Sequence, residues 1–125
     1  MAQRTLPWSL PRRICLHHDA WVVGSAATEQ AWTTDFAGIR DLDILVPFAS
    51  WPGAANTISD ACKHGVAEHR GLTVFGGYKL FLPETADSRA LEVDVWPGNL
   101  GDFLSMPRAR AVWHPTQDIR WGRLR

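Results

Sequence analysis

Three groups of residues along this chain have types and spacings suited to chemistry. The first is Asp41-Leu42-Asp43-Ile44. On a strand, positions two apart share a face, so both carboxylates project together while Leu42, Ile44 and Val46 anchor the opposite face. Two like charges at that separation repel, and a divalent cation, which prefers hard oxygen ligands, relieves the repulsion. Taken alone, the motif also reads as a solvated strand edge. The second group is Asp94, set between valines in Leu91-Glu92-Val93-Asp94-Val95-Trp96. A carboxylate in such an apolar strand needs a partner or a metal. Glu92 shares its face but lies nearer the turn and reads as solvated. The third is Gly24-Ser25, placed where an apolar run gives way to helix formers. The first turn of a helix offers unpaired N–H groups and a positive dipole end, which suit phosphate oxygens. Glycine lets the backbone approach closely, and the serine hydroxyl can donate. Ser25 as a plain N-cap is the other reading of that position.

The elements that must position these residues follow from patterning. Pro7 and Pro11 predict an irregular lead-in, and 14–18 fits either a helical turn or a short strand. Ala20-Trp21-Val22-Val23 reads as a buried strand, followed by a helix over 26–32 that starts at Ser25. Asp41 to Val46 alternates as a strand does, and Pro47 stops it. Ser50-Trp51-Pro52 signals a helix start, with Ile58, Ala61 and Cys62 on one face and Gly65 near its end.

Leu72 to Leu82 and Leu91 to Trp96 predict two strands joined by a polar turn over 83–88. Setting Lys79 opposite Asp94 brings Leu80 to Val93, Leu82 to Leu91 and Tyr78 to Val95, and collects one apolar set on one face. Lys79 then shares a face with Asp94. It could neutralise Asp94 or meet a phosphate. A short helix over 99–105 and a last strand over 109–113 complete the pattern. The expected fold is α/β in the α+β sense, a mixed sheet packed with helices, because a hairpin is incompatible with a purely parallel sheet.

At 125 residues the chain is expected to be a single domain, with a core over about 20–98 and an Arg-rich C-terminal extension over 99–125. With 46% hydrophobic and 21% charged residues it has no signature of disorder. No apolar run approaches the roughly 20 residues a membrane span needs, and no secretory h-region opens the sequence. The chain is therefore expected to be cytoplasmic and without membrane partners. Cys15 and Cys62 are far apart and read as free buried thiols. His17, His18, His64 and His69 lack the common face that a zinc site requires. Charge is neutral in total, but Arg108, Arg110, Arg120, Arg123 and Arg125 face the single acid Asp118 near the C-terminus. That tail suits either solvent or a polyanion. Seven tryptophans are many for this length. Trp51, Tyr78 and Trp96 fall closest to the carboxylates and could stack on a base, although core packing is the commoner use of such rings.

In order, Val23-Gly24-Ser25, Asp41-Leu42-Asp43-Ile44 and Val93-Asp94-Val95 resemble the signature of the DNA polymerase β-like nucleotidyltransferase superfamily. The resemblance spans about 20–98. The interval from Gly24 to Asp41 is similar to that of the tRNA-end-adding and aminoglycoside-modifying branches, while Ala26-Ala27 stand where minimal members often carry Arg. The resemblance implies a nucleotidyltransferase-type core moving a nucleoside monophosphate from a nucleoside triphosphate, such as ATP, to a hydroxyl, with release of pyrophosphate. It implies two Mg²⁺ or Mn²⁺ ions held by Asp41, Asp43 and Asp94, with Asp94 also taking the acceptor's proton. Gly24 and Ser25 would cradle the phosphates, helped by Lys79 and then Arg40, which strand alternation points away. The acceptor is left open among a nucleic-acid end, a protein and a small molecule. A protein partner or a second copy of the chain is expected alongside it, because the extension over 99–125 is too small to be a separate acceptor-binding domain. Two other functions fit the same residues: a catalytically silent regulatory module acting with a partner, and a nucleic-acid-binding accessory protein.

Overall fold

The computed structural model describes residues 6–28, 31, 34 and 36–113, the last two by backbone alone. The expected Arg120, Arg123 and Arg125 of the basic tail lie outside the described residues. The chain forms α1 (Ser9–His18), β1 (Trp21–Val23), a 3₁₀ turn (Gly24–Ala27) and β2 (Asp41–Pro47). A second 3₁₀ turn (Phe48–Ser50) leads into α2 (Trp51–Lys63), and β3 (Glu68–Leu72), β4 (Tyr78–Leu82), β5 (Leu91–Gly98), α3 (Leu100–Leu104) and β6 (Ala111–Trp113) follow.

The six strands lie in one sheet in the order β3-β4-β5-β2-β1-β6. Only the central pair, β2 with β5, is parallel; every other pairing is antiparallel. The fold is thus α+β with a mixed sheet. The expected β4–β5 register holds pair by pair, with Lys79 opposite Asp94, Leu80 opposite Val93, Leu82 opposite Leu91 and Tyr78 opposite Val95. Because β6 pairs with β1, the sheet continues past Gly98 to Trp113.

Strand alternation divides the sheet into two unlike faces. One face carries Val22, Leu42, Ile44, Val46, Leu80, Leu82, Leu91, Val93 and Val95, all buried. Against it pack Leu10, Ile14 and Cys15 of α1 and Ala54, Ile58 and Ala61 of α2, each set at helical spacing. A hydrogen bond of 2.7 Å between the His18 ring and the Thr57 hydroxyl ties the two helices together. The opposite face holds a smaller apolar cluster of Val23, Leu45 and Trp96, joined by Trp21, Leu100, Phe103 and Ala111. Beside that cluster the same face is polar, and it bears Asp41, Asp43, Asp94 and Lys79.

Three local expectations need correction. The lead-in is helical: Pro11 sits in the first turn of α1, where its missing N–H costs nothing. The helix predicted to start at Ser25 does not start there. The Gly24–Ala27 segment is a 3₁₀ turn, Thr28 is extended (φ −87°, ψ 152°), and its hydroxyl accepts the Ala31 N–H at 3.2 Å, as an N-cap does. Residues 29, 30 and 32 of that expected helix lie outside the described residues.

The expected strand from Leu72 to Leu82 is instead a hairpin, β3–β4, turning over 73–77. The Thr73 hydroxyl accepts the N–H groups of Gly77 at 2.9 Å and Phe75 at 3.3 Å, which closes the turn. Gly77 is what lets the turn lie close to β5: a Cβ there would stand 1.9 Å from the Val95 carbonyl oxygen and 2.5 Å from Trp96 Cα. That overlap is with backbone, which cannot swing aside. Gly77→Ala should therefore lower stability by about 1–3 kcal/mol in urea unfolding. An unchanged midpoint would show that the turn is looser than described.

Candidate functional site

The parallel register of β2 and β5 sets Asp43 directly opposite Asp94, and Asp41 opposite Glu92. On the other side of β2, Val23 is the partner of Asp43, so the chain leaves β1 into Gly24 directly beside that carboxylate. A Cβ on Gly24 would lie 2.6 Å from Asp43 Oδ2, and Gly24 has φ +76°. Both the approach and the left-handed conformation select glycine. Across β5, Lys79 lies opposite Asp94. Gly24, Asp43, Lys79 and Asp94 thereby line one open cleft of about 250 Å³, together with Val23, Thr73, Val74, Phe75, Trp96 and Phe103.

The acids behave as one electrostatic cluster. Burial pushes the Asp43 carboxyl up to about 6, helped by the charges of Asp41 and Asp94 and opposed by Lys79. Burial also raises Asp94, with Lys79 opposing and Asp41 and Glu92 adding to the rise. Among the described residues, neither Lys79 nor Asp94 belongs to an ion pair; those formed are His64–Asp60 and Arg70–Glu68. Lys79 therefore moderates the cluster at a distance and does not close onto Asp94.

The other residues singled out in the sequence take different places. Asp41 is exposed and shares the Asp43 face, one strand pair further from the aromatic end of the cleft. Ser25 is exposed and does not line the cleft; its carbonyl accepts from Thr28. Arg40 is exposed, and its backbone carbonyl accepts the Glu92 N–H at 3.0 Å, which extends the β2–β5 ladder by one bond. The Gly24 N–H is donated to the Arg110 carbonyl at 2.9 Å. The Gly24 amide is thus taken, and of the next two residues in the 3₁₀ segment Ser25 is exposed and Ala26 buried. So short a turn carries little macrodipole.

Among the aromatics, Trp96 does line the cleft, but Trp51 and Tyr78 do not. They stack on each other with ring centroids 5.5 Å apart, packed against the core that α2 covers. Tyr78 neighbours Lys79 along β4 and must point the opposite way. Thr73, Val74, Phe75 and Phe103 were not foreseen as cleft residues. The signal for the first three was Gly76-Gly77, a turn dipeptide inside what otherwise reads as one strand.

The three carboxylates offer an all-oxygen donor set, the kind Mg²⁺ and Mn²⁺ take. Among the described residues, Asp43 makes no hydrogen bond, and no group of three or more His, Cys, Asp or Glu side chains is drawn together as a metal-holding set. Repulsion among unliganded acids opposes such convergence. Cys15 is buried and Cys62 half-buried, both free. Among the described residues, no helix is long and apolar enough to cross a membrane. No protein-family model matches the chain, and no curated protein or solved structure is significantly similar to it.

The raised Asp43 carboxyl predicts a pH dependence. A folded-state value near 6 against an ordinary 3.8 means that the folded protein holds the proton more tightly than the unfolded chain. Stability of the metal-free protein should thus fall as pH rises from about 4 to 6, by on the order of 1–3 kcal/mol. Asp43→Asn should remove most of that fall. Identical pH profiles for the two proteins in chelator-treated buffer would contradict the electrostatic reading.

Proposed function

We propose that this protein is a metal-dependent nucleotidyltransferase, moving a nucleoside monophosphate from a nucleoside triphosphate to a hydroxyl acceptor. The observation that carries the reading is the position of Gly24: its backbone lies so close to Asp43 that no side chain fits between them, while Asp43 faces Asp94 across parallel strands. A purely structural pair of acids needs neither feature. The resemblance of the Gly-Ser, Asp-x-Asp and third-Asp order to the DNA polymerase β-like nucleotidyltransferases supports it independently.

In this reading Asp41, Asp43 and Asp94 hold two Mg²⁺ or Mn²⁺ ions. Bound there, the ions would supply Lewis-acid stabilisation of charge on the attacking and leaving oxygens. Asp94, on the strand opposite Asp43, accepts the proton of the attacking hydroxyl. The bond from the acceptor oxygen to the α-phosphorus forms as the bond to the pyrophosphate oxygen breaks. Ser25, exposed beside Gly24 just outside the cleft, offers its hydroxyl and amide to the outgoing phosphates. Lys79, exposed on the same face and outside any ion pair among the described residues, supplies positive charge to the triphosphate. Arg40 acts from outside the cleft. The acceptor is a nucleic-acid end, a protein or a small molecule, and a separate partner or a second copy of the chain would help to present it. The setting is cytoplasmic.

The test offers the full chain Mg²⁺ or Mn²⁺, each labelled nucleoside triphosphate, and RNA, DNA and protein acceptors. Label should transfer, and Asp94→Asn should slow it by roughly 10²-fold or more. Gly24→Ala should also lose activity, because its methyl would displace the Asp43 carboxylate. Nucleic-acid binding with no transfer, unchanged in Asp43→Asn and Asp94→Asn, would replace this reading by that of an accessory protein. A second measurement needs no acceptor. Mg²⁺ or Mn²⁺ should raise the Tm of the wild-type chain at pH 7, and Asp43→Asn should abolish the rise. Equal shifts in both proteins would place the ions elsewhere.

A further inference from the structure

The cleft has two chemically unlike ends. Asp43, Asp94, Lys79 and Gly24 form the polar end, and Val23, Val74, Phe75, Trp96 and Phe103 form the other. The apolar end is built on the tip of the β3–β4 hairpin. Phe75 is 55% exposed, yet its ring sits on Trp96, with centroids 5.3 Å apart and planes tilted by 30°. Trp96 is only 7% exposed and also neighbours the Phe103 ring, at 6.4 Å between centroids. Phe75 is therefore backed by a buried tryptophan while more than half of its side chain stays exposed.

The tip that presents Phe75 is held in place. Thr73 N–H donates to the Gly77 carbonyl at 3.0 Å, Gly76 N–H donates to the Thr73 carbonyl at 3.2 Å, and the Thr73 hydroxyl accepts from Phe75 and Gly77. Gly77 allows the turn to lie against the β5 backbone. A large apolar ring left exposed on a braced turn loses little conformational entropy on meeting a ligand.

We infer that the exposed ring of Phe75, backed by Trp96, is the platform on which the base of the nucleoside triphosphate stacks while its phosphates reach the carboxylates. The inference rests on the nucleotidyltransferase reading of the polar end. A nucleoside triphosphate is a flat apolar ring joined to a polyanion, and the cleft presents matching surfaces in one continuous wall. Stacking on an aromatic ring suits any base, since each has a π-face. The platform thus contributes affinity without itself choosing among bases.

Calorimetry of the full chain with Mg²⁺ separates this inference from the reading beneath it. The ligands are ATP, UTP and inorganic tripolyphosphate, and the variants are Phe75→Ala, Phe75→Leu and Phe75→Trp. Both nucleotides should bind the wild-type protein more tightly than tripolyphosphate. Phe75→Ala and Phe75→Leu should weaken both nucleotides by roughly tenfold or more and leave tripolyphosphate unchanged, while Phe75→Trp retains nucleotide affinity. Loss in Phe75→Ala with full retention in Phe75→Leu would overturn stacking in favour of simple apolar contact. Nucleotide binding that is unaffected by Phe75→Ala would place the base elsewhere and leave the polar end standing. Equal weakening of all three ligands would make Phe75 a structural residue. Failure of every ligand to bind the wild-type protein would overturn the nucleotidyltransferase reading itself, and the platform with it. Because Phe75 is largely exposed, all three variants should fold, which unchanged Tm values would verify.

Discussion

The parallel pairing of β2 with β5 is the constraint on which the rest of the molecule depends. These are the two central strands, and their helix-covered faces contribute Leu42, Ile44, Val46, Leu91, Val93 and Val95 to the core. Removing a side chain of this kind from such a core typically costs about 2–5 kcal/mol for Leu or Ile truncated to Ala. The register is therefore strongly held, and a slip by one residue would drive both aspartates into the core. The burial that fixes the strands also fixes Asp43 opposite Asp94 on the other face. The acids are held there at a cost, visible in proton affinities raised first by burial and then by neighbouring carboxylates.

Everything else at the cleft is arranged around that pair. β1 pairs with β2 and delivers Gly24 to the Asp43 carboxylate; β4 pairs with β5 and delivers Lys79 to the Asp94 side. The Arg110 carbonyl, just before β6, takes the Gly24 N–H and fixes the turn from outside. The connection into β2 is anchored by Phe36, which is buried in the core, in edge-to-face contact with Trp8 and bonded through its carbonyl to the Arg89 guanidinium. The loop leading to the acids is thus tied to both α1 and the approach to β5.

The two faces of the sheet divide the work. The helix-covered face stabilises the molecule, and its aromatics, such as Trp51 and Tyr78, pack on one another. Among the described residues, the opposite face is covered only in part, by α3 and by the tip of the β3–β4 hairpin. That leaves an apolar wall beside a charged one, with a cleft between them. Partial cover costs burial, and it also keeps the carboxylates reachable from solvent.

The sequence alone determined the strands that carry Asp41, Asp43 and Asp94, the helix after Ser50, and the β4–β5 register, because alternation and apolar matching are local or nearly local constraints. It also indicated that Gly24-Ser25 ends a strand. What it did not determine was the form of the turn after Gly24, since Ser25 and Thr28 are both competent caps and only packing of Ala26 and Ala27 into the interior chooses between them. Nor did it reveal the hairpin at 73–77, whose apolar residues satisfy a strand pattern until Gly77 meets the β5 backbone. Tertiary structure alone decided that β2 and β5 are neighbours and parallel, which a sequence separation of some fifty residues conceals. The same long-range packing seated Phe75 on Trp96. Side-chain type and spacing name the candidates for a site; only the sheet order says which of them share a face.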